Sequence, residues 1–134
     1  MKKVLFILLA LTIFNCSPED SSEIEQVQEE TLIGRWNLVG FEGSILYEFT
    51  ADKRFTMYAT DGSFETVAEL IDSGRVGNDY WYEGSMVTVD LNFGNTSTLT
   101  PQFKCGNNVV DWLDNNGEIH SSMFRENFDY TSCN

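Results

Sequence analysis

The chain has 134 residues, with 21 Asp and Glu against 8 Lys and Arg, a formal charge of −13 at pH 7 and an aromatic content of 13%. Nucleic acid is bound by clusters of Lys and Arg, so this balance counts against nucleic acid and against an anionic headgroup as partner. The length supports one domain with a modest core.

Lys2 and Lys3 precede an apolar run over residues 4–14. A membrane-spanning helix needs about 20 apolar residues, so this shorter run reads as the core of an export signal. It ends in Ile13-Phe14-Asn15-Cys16. The stretch resembles a bacterial lipoprotein signal of the Bacteroidetes type. That resemblance implies a signal peptide over 1–15, cleavage before Cys16, lipid on Cys16 and a membrane as partner through this N-terminal anchor. It also implies a place in the bacterial cell envelope, as an outer membrane lipoprotein, periplasmic or surface-exposed. An ordinary secretion signal and a buried segment of the fold are the alternatives. Residues 16–30 follow as an acidic tether: SPEDSSEIEQVQEE holds six carboxylates and no basic residue. Such composition does not fold alone and extends by self-repulsion.

From residue 31 onward, short alternating runs predict strands. Trp36 and Leu38 share a face, as do Ile45, Tyr47 and Phe49, then Phe55 and Met57. SFETVAELI alternates as well and is read as a further strand over 63–71. Residues 72–79 read as an irregular loop, expected at a barrel mouth. The runs DYWYEG, MVTVDLNF, STLTPQFKC, NVVDWLD and EIHSSMFREN complete eight or nine strands. Pro101 lacks a ladder N–H and marks a bulge, an edge or a strand start. Polar turns separate the runs, and Asp61-Gly62 and Asn116-Gly117 are hairpin signals. So many sequential hairpins must cover their edges or close. The expected fold is all-β, a small up-and-down antiparallel β-barrel of about eight strands, with a flattened sandwich as second choice. The expected core is Phe41, Tyr47, Phe49, Phe55, Met57, Phe64, Val89, Leu91, Phe103 and Leu113.

Cys105 and Cys133 remain once Cys16 is assigned to lipid. An even pair in an exported domain predicts one disulfide, with two free thiols as the alternative in a reducing compartment. Two cysteines and one histidine fall short of a structural zinc set, and neither metal nor cofactor is expected.

Leu32-x-Gly34-x-Trp36-x-Leu38, followed by Tyr47-Glu48-Phe49-Thr50-Ala51-Asp52-Lys53-Arg54-Phe55-Thr56, resembles the lipocalin-like domains of small bacterial lipoproteins over most of 31–134. The META/HslJ-like β-domains share the opening motif and are the runner-up. The lipocalin-like resemblance implies that Gly34 and Trp36 begin the first strand and that Trp36 closes the barrel's bottom. Arg125, from the last strand, is the candidate to lie across the indole. The Cys105 to Cys133 bond would match a lipocalin habit.

Catalytic chemistry finds little support. His120 is the only histidine, read as a surface residue, and its neighbours Ser121 and Ser122 are not placed in reach by a strand. Glu65 and Glu69, on one strand face, would stand roughly 13 Å apart, too far for a glycosidase pair. Asp111 and Asp114 are read as a solvated face. Enzymatic activity is not expected. Tyr80, Trp81, Tyr82 and Trp112 are candidate pocket-lining residues or ordinary core. The sequence points to a non-enzymatic binding module for a small apolar molecule or peptide. The alternative is a structural or protein-interaction lipoprotein of the envelope with a filled barrel.

Overall fold

The computed structural model describes residues 30–133. The signal, Cys16 and residues 16–29 of the tether lie outside the described residues. Eight strands follow one another as β1 (Gly34–Leu38), β2 (Ile45–Phe49), β3 (Lys53–Tyr58), β4 (Asn78–Glu83), β5 (Met86–Asp90), β6 (Thr96–Lys104), β7 (Val109–Leu113) and β8 (Ile119–Arg125). They form a closed barrel in sequence order, each strand antiparallel to the next, with β8 returning to β1. The expected up-and-down barrel is therefore the fold, and closure removes the sheet edges that a row of short strands would otherwise expose.

Directly paired residues in an antiparallel sheet point to the same face. Trp36 pairs with Tyr47 and with Arg125, Tyr80 with Val89, Val87 with Leu99, and Val110 with both Phe103 and Met123. These faces meet inside. The inner cluster gathers Leu32, Trp36, Phe49, Tyr80, Val87, Val89, Val110, Trp112 and Met123.

One element departs from the expectation. Residues 63–71 do not form a strand; Val67–Asp72 is a helix, α1. Thr66 caps it: its hydroxyl accepts from the Glu69 N–H, and the Glu69 carboxylate reaches back to the Thr66 N–H at 2.7 Å. This reciprocal box starts helices. The Thr66 backbone N–H, then its hydroxyl, hold the Glu69 carboxyl below the usual carboxylate range. Val67 and Leu70 fall one turn apart, so one helix face carries both, and Leu70 is buried with Leu46, Phe55 and Met57. That second cluster sits outside the barrel wall. Phe55 and Met57, expected in a single core, belong to it.

Other expectations are corrected by the same geometry. Phe41 and Leu91 are exposed, because both lie in loops after a strand has ended. Tyr47, Phe64, Phe103 and Leu113 are half-buried. Asp61-Gly62 opens the excursion that carries α1 rather than a tight hairpin, whereas Asn116-Gly117 does join β7 to β8. Pro101 lies within β6, opposite Trp112. β5 pairs with β6 only as far as Leu99, so beyond that point one side of β6 has no ladder partner and a missing N–H is tolerated.

Cys105 and Cys133 are bonded, with Cα atoms 5.8 Å apart and a sequence separation of 28. The bond ties the final turn, Tyr130–Ser132, to the β6–β7 connection, and Tyr130 stacks on Phe124 at 5.2 Å.

Replacing Cys133 by Ser should lower unfolding free energy in denaturant titration by about 3–4 kcal/mol, the loop-entropy value for a closure of this length. Leu70→Ala should cost about 2–4 kcal/mol and detach α1 from the wall. Amide exchange should then accelerate over 64–77 while β5–β8 keep their protection.

Candidate functional site

The barrel has two unlike ends. At the end where the chain enters β1, Trp36 is fully buried and donates its indole N–H to the Leu32 carbonyl at 2.7 Å. The Arg125 guanidinium lies 3.9 Å from the centroid of the Trp36 ring. Its two terminal nitrogens donate to the carbonyls of Ile33 at 2.6 Å and Thr31 at 2.7 Å. Gly34 adopts φ +119°, and a Cβ there would fall 2.5 Å from Arg125 Nη1. The Gly34-x-Trp36 spacing thus has a local cause: glycine gives the chain room to bend under the arginine, and the indole two residues on presents its face to it. Burial pushes the Arg125 guanidinium below its ordinary pKa, and it remains a cation at any physiological pH.

Above this seal the side chains fill the interior as far as Phe49, Tyr80 and Val110. Tyr80 meets Phe49 edge-on at 5.2 Å and donates its hydroxyl to the Thr50 carbonyl at 2.6 Å. Burial pushes the Tyr80 phenol up. Beyond these rings the filling stops. A cavity of about 210 Å³ lies in the opposite half of the barrel. Its apolar wall comes from Leu38, Tyr47, Phe49, Val87, Val89, Leu99, Trp112 and Met123, and its polar groups are Arg54, Ser97, His120 and Ser121.

His120 owes its place to a bulge. Trp112 pairs with Ser121 while Leu113 pairs with Ile119, so β8 carries one extra residue there. A bulge re-aims side chains, and His120 and Ser121 both reach the cavity, with His120 Nδ1 3.4 Å from Ser121 Oγ. Arg54 enters from β3. The Thr50 hydroxyl accepts from the Lys53 N–H, closing the β2–β3 turn, and Phe49 pairs with Arg54. Arg54 therefore shares the inward face of Phe49. Its guanidinium lies 5.1 Å from the Tyr47 ring centroid, its Nε is buried without a hydrogen-bond partner, and burial pushes its pKa down.

Of the aromatic candidates, Trp112 lines the cavity. Tyr80 belongs to the packed layer beneath it. Trp81 and Tyr82 do not line it: Trp81 alternates to the outer face and bonds Glu83 at 2.8 Å, and Tyr82 lies low on β4 towards the sealed end. Sequence reasoning missed Arg54, His120, Ser97 and Ser121. The strand ends and loops around the open end carry exposed Phe41, Tyr58, Leu91, Phe93 and Ile119, and Phe93 is wholly exposed at φ 56°. Among the described residues, no group of three or more His, Cys, Asp or Glu gathers as a metal site.

Comparison with family models, with curated proteins and with solved structures returned no match for this chain. Its class rests on its own geometry: a small closed antiparallel barrel, sealed at one end and hollow at the other.

Gly34→Ala should destabilise the fold by about 2 kcal/mol or more, since the new methyl group meets Arg125 and the backbone angle is unfavourable for an L residue. Thermal denaturation measures it. The double variant with Arg125→Ala should lose less than the sum of the two single changes, because the clash is then gone.

Proposed function

We propose that this protein is an exported, lipid-anchored member of the lipocalin-like lipoproteins that binds a small, largely apolar molecule inside its barrel, without enzymatic activity. The observation that carries the reading is the cavity of about 210 Å³ with eight apolar or aromatic side chains in its wall. A dry cavity of about 150 Å³ already accommodates benzene, and concave apolar sites with a few polar groups are where small ligands bind. The volume favours a molecule a little larger than benzene over a peptide or a long acyl chain. The N-terminal signal and Cys16 support export and attachment to the cell envelope, with the outer membrane as destination. The Gly34-Trp36-Arg125 closure supports the family resemblance.

A second reading, contact with another envelope protein, is favoured by the apolar residues of the open rim, Phe93 foremost. Methyl NMR on the full chain, titrated with indole and toluene, separates the two. The carrier reading expects shifts confined to Leu38, Val87, Val89, Leu99 and Met123, abolished in the cavity-filling variant Val89→Phe. Shifts confined to Leu91 and Ile119 of the rim, with the interior methyls unmoved, would overturn it in favour of the surface reading.

A further inference from the structure

The described residues contain six Lys and Arg, and five are engaged. Arg35 faces Glu48 and Glu126 at 3.5 and 3.3 Å, Lys53 pairs with Asp79, Arg75 with Glu65 at 3.1 Å, and Lys104 with Asp111. Arg125 bonds two carbonyls and covers Trp36. Arg54 differs from all of them: among the described residues its side chain makes no hydrogen bond and no ion pair, and its guanidinium lies over the face of Tyr47. In a chain with 21 carboxylates, a cation without one is a specific arrangement. It lines the cavity, and no carboxylate lines the same wall.

Arg54 is half-buried, with its Nε shielded and unpartnered, and partial desolvation of a charge without a partner is costly. The planar guanidinium fork matches a carboxylate in two parallel hydrogen bonds. Its surroundings limit the rest of the ligand. The opposite wall is Leu38, Val87, Val89, Leu99 and Met123, and the space of about 210 Å³ admits only a short body.

We propose, resting on the carrier reading above, that the cavity selects a small organic monoanion: a short apolar body ending in one carboxylate held by Arg54. The body lies against the aliphatic and Trp112 walls, and the head displaces nothing charged. Ser97, Ser121 and His120 supply further hydrogen-bonding groups to the same space.

Titration calorimetry on the full chain, with hexanoate, hexanamide and acetate at neutral pH, tests this. Hexanamide keeps the body without the charge, and acetate keeps the charge without the body. Hexanoate should bind at least about tenfold more tightly than either, the scale of a charge-assisted hydrogen bond. Arg54→Gln should bring hexanoate to the hexanamide level and leave hexanamide unchanged. Without ligand, the same variant should melt at an equal or higher temperature, because a half-buried charge without an ionic partner has been removed. Equal binding of hexanoate and hexanamide overturns the anion selection while leaving the carrier reading intact. Acetate as tight as hexanoate overturns both, since the apolar walls would then contribute nothing. No heat from any of the three, with the interior methyl signals unmoved, also removes both. If Arg54→Gln does not fold, Arg54 is part of the scaffold and the proposal falls, unless Arg54→Lys folds and still prefers hexanoate over hexanamide.

Discussion

The guanidinium of Arg125, held over the Trp36 ring and bonded to the carbonyls of Thr31 and Ile33, joins three parts of the chain at one point. The segment before β1, the first strand and the last strand all depend on it. Cation–π contact of this kind contributes roughly 0.5–2 kcal/mol, and the two carbonyls would otherwise be left beside a buried indole. Once that end is sealed, the apolar side chains stack from Leu32 upward through Trp36, Val110 and Phe49. The space left over appears at the far end, where strands of five to nine residues do not supply enough large side chains to fill the barrel.

The wall of the barrel is apolar on both faces at one place. Leu46 pairs with Met57 on the outside of β2 and β3, next to Phe55. Water contact with those three would be unfavourable by the usual area argument, and α1 removes it. The long connection from Tyr58 to Asn78 therefore serves as a cover as well as a link. It also leaves β3 and β4 with only two paired positions, Lys53 with Asp79 and Arg54 with Asn78. This is the thinnest backbone seam in the barrel, and it runs beside Arg54.

Strand periodicity carried most of the architecture, because alternation and turn chemistry are local properties. The disulfide was legible from the cysteine count once Cys16 was set apart, and the sealing trio from the resemblance that the Gly34-x-Trp36 motif carries. The helix was misread because VAELI satisfies period two and, over so short a run, also places Val67 and Leu70 on one helical face. Thr66 and Glu69 form a capping box, and that signal should have outweighed the alternation. Arg54 was hidden by its charge. A four-residue turn after Phe49 puts Arg54 opposite it, so an inward Phe49 requires an inward Arg54 and an outward Phe55. Choosing both phenylalanines as core gave hydrophobicity precedence over register. The bulge that brings the exposed His120 to the cavity's edge has no local signal, since it arises from the mismatch between β7 and β8.

The sealed end also gathers the chain's two approaches. Residues before β1 arrive beneath Arg125, and the Cys105–Cys133 bond fixes the last turn to the connection between β6 and β7 at that same end. The molecule thus has a base and a mouth. The described chain therefore enters and leaves the barrel at its closed end, away from the cavity.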